Sequence, residues 1–146
     1  MQKYQTVLSA SIQAPIETVF DRLSDHNRMG EWLNADIRRS KDSTATGEGL
    51  NGTGSVRTLR ILGLLDFDET VVKCEKPRAI EYEITRGSPL KNHHGSITLK
   101  QNGNATQIDW DIRFDMAIPL AGHIVAMLLN FAVRQGLKKL KGQLEQ

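Results

Sequence analysis

The last stretch of the chain, residues 119–146, constrains the fold more than any other. It reads PLAGHIVAMLLNFAVRQGLKKLKGQLEQ, with no proline after its first residue. At 1.5 Å of rise per residue it makes a helix roughly 40 Å long, enough to cross a small domain. Its first half is apolar nearly all round: Leu120, Ile124, Val125, Met127, Leu128, Leu129, Phe131 and Val133. Its second half narrows to Leu137, Leu140 and Leu144, with Lys138, Lys139 and Lys141 on the other side. On a helical wheel the apolar residues fall into two stripes. Ala126, Leu129, Val133, Leu137, Leu140 and Leu144 run along most of the length. Leu120, Ile124, Met127, Leu128 and Phe131 lie roughly opposite, in the first half alone. A helix of this kind must be covered. The longer stripe is expected to pack on a core, although the pattern leaves open which stripe does so. A loop, a ligand, a membrane or a second subunit (a homodimer through the first half of the helix) are the candidates for covering the other.

Nearly all of the remaining chain reads as strands. Tyr4, Leu8, Ala10 and Ile12 share one parity, which marks a half-buried strand. Pro15 suits the first turn of a helix over residues 15–24, where Ile16, Val19, Phe20 and Leu23 recur at helical spacing. Ser24-Asp25 breaks it and opens a second short helix over 25–32, with Gly30 against that reading. Residues 35–40 form a brief strand, and Lys41 to Gly54, rich in Gly, Ser, Thr and Asn, a mobile loop. Five strands follow at 55–62, 67–75, 80–86, 95–101 and 106–116, separated by Gly63, Lys76-Pro77, Gly87-Ser88-Pro89 and Asn102-Gly103-Asn104. In the last strand Ile108, Trp110, Ile112, Phe114 and Met116 oppose Asp109, Asp111, Arg113 and Asp115. Such alternation predicts an antiparallel sheet with one wet face and one covered face. The expected class is therefore α+β: a curved seven-stranded antiparallel sheet wrapped around the C-terminal helix, in one domain spanning 1–146.

Composition excludes several functions. Lys plus Arg is 19 and Asp plus Glu is 17, a net charge of +2, which argues for no nucleic-acid partner. The lone Cys74 forms no internal disulfide and no cysteine metal cluster, which fits a reducing cytoplasm. The first residues, MQKYQTVLSASIQAP, lack the apolar core of a signal peptide. Residues 116–133 have about the minimum length of a membrane span, but Pro119, His123 and Asn130 interrupt them, so no stable membrane insertion is expected. The glycines at 47, 49, 52 and 54 follow no phosphate-binding pattern.

The candidates for chemistry are few. On the strand of residues 80–86, even parity carries Ile80, Tyr82 and Ile84 inward, and Arg86 with them. Odd parity on the next strand carries Ile97 and Leu99 inward and extrapolates to His93. Arg86 and His93 are thus candidate polar groups at the rim of a cavity, where a few polar residues orient an apolar ligand. The competing reading leaves both in the turn, touching water. His93 and His94 point to opposite faces of a strand and do not chelate one ion. No zinc spacing is present, so neither metal nor organic cofactor is expected. His123 and Asn130 share one side of the helix and are either ligand contacts or satisfied structural polars. Trp32, Tyr82, Trp110, Phe114, Met127 and Phe131 are the large side chains expected to line a cavity, and core packing accounts for each equally well. Cys74 reads as an inert thiol.

Several strings resemble the START-related superfamily called SRPBCC, in particular its birch-pollen-allergen and bacterial polyketide cyclase/dehydrase-like members. They are residues 12–20 (IQAPIETVF), Leu23-Ser24-Asp25, Glu31-Trp32-Leu33, Gly54-Ser55-Val56-Arg57 and the terminal helix. The resemblance covers the whole chain. It implies a helix-grip fold with an apolar cavity between the sheet and the helix. It also implies a protein that binds lipids, sterols, polyketides or hormones, or an enzyme of the polyketide cyclase/dehydratase type. The expectation taken forward is binding of a hydrophobic small molecule or lipid. The alternative is an enzyme using polar groups at the cavity rim.

Overall fold

The computed structural model describes residues 2–145. Seven strands form one antiparallel sheet: β1 (Gln2–Ile12), β2 (Asp36–Lys41), β3 (Val56–Ile61), β4 (Leu65–Glu75), β5 (Ala79–Arg86), β6 (Lys91–Asn102) and β7 (Ala105–Met116). Their order across the sheet is β1-β7-β6-β5-β4-β3-β2. Helix α1 (Ile16–Ser24) and a 3-10 turn (His26–Glu31) carry the chain from one edge of the sheet to the other. Helix α2 (Pro119–Leu144) lies against the concave face. This is the α+β architecture expected from the order of elements.

The alternation of β7 is realised throughout. Ile108, Trp110, Ile112 and Phe114 are buried, while Asp109 and Asp111 accept hydrogen bonds from Ser9 and Gln5 of β1 on the convex face. Val19, Phe20 and Leu23 of α1 join the same core. The segment expected as a second short helix is a 3-10 turn. Asp25 opens it by accepting the Asn27 N–H, and Gly30 passes close to Ala35. The glycine-rich stretch between β2 and β3 is tied down rather than hanging free: Ser43 Oγ donates to the Thr53 carbonyl, Glu48 accepts from the Thr53 N–H, and the Gly54 N–H reaches Val71 of β4.

Of the two stripes on α2, the longer faces inward. Val133, Leu137 and Leu140 are buried, and Leu129 and Leu144 are partly so. Near its start the helix touches the sheet at Gly122, where a Cβ would come within 2.1 Å of the Tyr4 ring. A side chain at position 122 would therefore push the helix off the sheet. Tyr4 fixes that end by donating its hydroxyl to the Pro119 carbonyl (2.7 Å). The second stripe has no cover among the described residues: Leu120 is 78% exposed, Met127 63% and Phe131 62%. By length and composition α2 passes as a membrane span, but its inward stripe belongs to the core of the domain.

Candidate functional site

Where α2 crosses the sheet, the two do not close on each other completely. A cavity of about 270 Å³ remains between β3, β4, β5 and β7 on one side and Val125, Leu129 and Val133 on the other. The 3-10 turn contributes Met29, and the β5–β6 turn contributes Ser88, Pro89 and Leu90. Most of the wall is aliphatic or aromatic, including Leu59, Phe67, Ile84 and Ile112. The volume falls just below the roughly 300–1,000 Å³ of ordinary ligand sites, and the lining follows their pattern of apolar walls with a few polar groups.

Those polar groups come from four neighbouring strands. Arg57 of β3 and Glu69 of β4 sit directly opposite each other in the ladder. Both share parity with inward apolar residues: Arg57 with Leu59, and Glu69 with Phe67 and Val71. They form a buried ion pair, Arg57 Nε donating to Glu69 Oε1 at 2.7 Å. The Arg57 guanidinium lies 4.6 Å from the centre of the Tyr82 ring. Its Nη1 points at the Met29 sulfur, 3.2 Å away. A desolvated cation over an aromatic face gains up to about 2 kcal/mol.

Tyr82, on β5, is buried and accepts a hydrogen bond from Trp110 Nε1 at 2.9 Å. Burial raises its phenol pKa above the ordinary value, so the hydroxyl keeps its proton. Its ring fits because position 95, directly opposite in β6, is glycine. A Cβ there would lie 2.1 Å from the ring. The β5–β6 ladder ends at that pair. Just beyond, His93 turns inward and its Nδ1 accepts the Ile84 N–H at 3.0 Å, a backbone donor that has lost its strand partner. This bond places the histidine proton on Nε2. Burial lowers the pKa of His93, which is therefore uncharged at neutral pH. The Tyr82 and His93 rings are 5.6 Å apart. Arg57, Glu69, Tyr82 and His93 thus form one polar end in an otherwise apolar cavity.

The nine side chains singled out in the sequence scatter over five places. Tyr82, His93 and Trp110 border the cavity. Trp32 lies behind them, edge-on to Trp110 at 6.2 Å, and does not reach it. Phe114 belongs to a separate cluster with Tyr4 and Met116, and His123 stands edge-on to Tyr4 on its outer side. Met127 and Phe131 face outward and flank a shallow surface groove with Asn130 and Arg134. Arg86 is corrected outright. Asp68 pairs with Arg86 while Glu69 pairs with Ile84, so β5 carries one extra residue there and its parity reverses. Arg86 emerges on the convex face, bound to Asp66 and Asp68. The Arg57–Glu69 pair was missed. Its signal was present in two opposite charges at inward parity on consecutive strands, but their pairing depends on a register the sequence alone did not fix. Among the described residues no group of three or more His, Cys, Asp or Glu is placed to hold a metal ion.

A curved antiparallel sheet gripping a C-terminal helix over an apolar cavity defines the helix-grip class. The chain belongs to the family described as polyketide cyclase / dehydrase and lipid transport, whose model matches residues 4–145. A comparison with curated proteins found no match. Among solved structures, a START superfamily protein from Mycobacterium smegmatis is similar over 97% of both chains, with 16% identity and a TM-score of 0.77. An uncharacterised protein from Bacillus thuringiensis is similar over 98% of this chain and 100% of its own, with 22% identity and a TM-score of 0.72. The Aha1 dimer from Colwellia psychrerythraea is similar over 97% of this chain and 96% of its own, with 19% identity and a TM-score of 0.73. At these identities the likeness is one of fold.

Proposed function

We propose that this protein binds a hydrophobic small molecule in the cavity between the sheet and α2. The observation that carries the reading is the combination of an apolar wall with one buried polar end, formed by Arg57, Glu69, Tyr82 and His93. A fully apolar core needs no such end, and burying an ion pair in place of packed apolar side chains rarely adds stability. The family description, which includes lipid transport, supports the same reading. So does the cavity size, which suits a compact ligand better than a long-chain lipid. The lone thiol, Cys74, is kept protonated by partial burial and fits the reducing cytoplasm as the place of action. Native mass spectrometry of the protein purified from its own host tests the proposal. A co-purifying small molecule at one per chain supports it. A clean apo mass, together with no binding of any apolar probe in vitro, contradicts it.

A second reading, an enzyme of the cyclase/dehydratase type, is favoured by one feature. The Glu69 carboxylate borders the cavity beside two neutral donors, Tyr82 and His93. Such a group can take a proton next to a carbonyl while the donors hold its oxygen. Exchange of α-protons of a bound ketone for deuterium, lost in Glu69→Gln, tests it. Exchange no faster than in buffer removes this reading and leaves the binding proposal standing.

A further inference from the structure

The polar end of the cavity is unevenly supplied. Three kinds of donor converge around the Tyr82 ring. Tyr82 Oη already accepts from Trp110, and its own proton has no acceptor among the described residues. His93 Nε2 carries the proton of its ring, because Nδ1 is occupied by the Ile84 N–H, and it too has no protein acceptor among the described residues. Arg57 sends Nε to Glu69 and Nη1 to a thioether, which leaves Nη2 free among the described residues. All three side chains are more than nine-tenths buried. Arg57 and His93 both line the cavity, and neither Arg57 Nη2 nor His93 Nε2 is sealed off from water. Acceptors are fewer: Tyr82 Oη and His93 Nδ1 are taken by Trp110 and Ile84, Arg57 holds Glu69 Oε1, and of that carboxylate only Oε2 has no partner among the described residues.

Charge narrows the choice further. Arg57 and Glu69 neutralise each other at 2.7 Å, and His93 and Tyr82 are uncharged at neutral pH. An ionic ligand would bring an unpaired charge into a low-dielectric cavity, at a cost that neither member of an existing pair offsets. An alcohol needs an acceptor for its own proton and finds one, Glu69 Oε2, against three open donors, and an amine enters as a cation. A purely apolar ligand would leave buried donors without partners, each unfavourable in its own right. About 270 Å³ holds a body of roughly ten non-hydrogen atoms, taking about 30 Å³ as the share of one water in the liquid.

Resting on the cavity-binding reading above, we infer that the ligand is a compact, uncharged, mostly apolar compound whose polar end is a carbonyl oxygen, held by Tyr82 Oη and His93 Nε2 with Arg57 behind them. Four probes of nearly one shape separate the possibilities: 1-tetralone (carbonyl), tetralin (no polar group), 1-aminotetralin (cation) and tetralin-1-carboxylate (anion). Calorimetric titration of the intact protein at pH 7.5 is expected to rank 1-tetralone at least roughly tenfold tighter than the other three, since two good hydrogen bonds supply about that much. Its carbonyl stretch is expected to move to lower wavenumber on binding. In Tyr82→Phe, with folding checked by circular dichroism, the advantage of tetralone over tetralin shrinks. Tetralin binding as tightly as tetralone, or either charged probe binding more tightly, overturns the carbonyl inference and leaves the cavity reading intact. No binding by any of the four overturns both. The comparison of probes on the unaltered protein keeps the inference falsifiable even if Tyr82→Phe does not fold.

Discussion

Replacing Glu69 with leucine removes one member of a buried pair while nearly preserving volume. Arg57 is 1% exposed and Glu69 8%, so the guanidinium left behind cannot simply turn to bulk water. Breaking a buried pair from one side costs about 3–5 kcal/mol. Two contacts survive the substitution, the Tyr82 ring face at 4.6 Å and the Met29 sulfur at 3.2 Å. These place the expected loss at the lower end, about 3 kcal/mol, or a fall in Tm of roughly 10 °C for a chain of this length. Removing both charges together, in Arg57→Met with Glu69→Leu, is expected to be neutral or to stabilise by about 1–4 kcal/mol. The cycle should therefore show strong coupling between the two sites. Urea unfolding of the four proteins, with equal slopes as the check on two-state behaviour, measures it. A loss under about 1 kcal/mol in Glu69→Leu, as for an exposed pair, would refute the reasoning. So would a double variant as unstable as the sum of the singles. If the reasoning holds, the folded double variant also separates stability from function, because the cavity keeps its walls and loses its polar end.

Three further outcomes follow from single sites. Gly95→Ala forces the Tyr82 ring out of place and is expected to cost about 1–3 kcal/mol, as overpacking does, with weakened ligand binding; unchanged stability would mean the ring is not where it is described. His26 is buried against Ser55 (2.8 Å), and burial together with the Arg57 and Arg39 charges lowers its pKa from 6.5 to about 3. The unfolded chain therefore binds a proton that the folded chain refuses, so stability is complete above pH 6.5 and falls as pH drops toward 3. Unfolding midpoints between pH 7 and 4.5 should show that slope, and His26→Gln should flatten it; parallel slopes would remove His26 as the cause. Phe131→Glu, at a ring 62% exposed, is expected to change stability by less than about 0.5 kcal/mol. A larger loss, dependent on protein concentration, would show that a second copy covers the first half of α2 in solution.

The sequence shows its periodic features well and its irregular ones poorly. The inward parity of Tyr82 and Trp110 and the Leu129–Val133–Leu137–Leu140 stripe follow from periods of 2 and 3.6, and the structure keeps them. The uncovered stripe of α2 was visible for the same reason. Arg86 was lost because a single extra residue in β5 reverses every assignment beyond it. His93 keeps the inward odd parity of Gly95, Ile97 and Leu99, and the register shift between Lys91 and His94 leaves that parity intact. Trp32 and Phe114 have the same composition signal as cavity aromatics. Only packing places one behind Trp110 and the other beside Tyr4. The Arg57–Glu69 pair needed both parity and strand register, and register is a property of the assembled sheet.

The central claim, that the cavity and not the exposed face of α2 receives the ligand, is tested most directly by following backbone amide shifts in a nitrogen–proton correlation spectrum as a compact apolar ligand such as 1-tetralone is added. Saturable shifts at Leu59, Phe67, Tyr82, His93 and Leu129 are predicted, with little change at Ile124, Met127 and Phe131. Shifts confined to that outer face of α2, or none at saturating ligand, would contradict it.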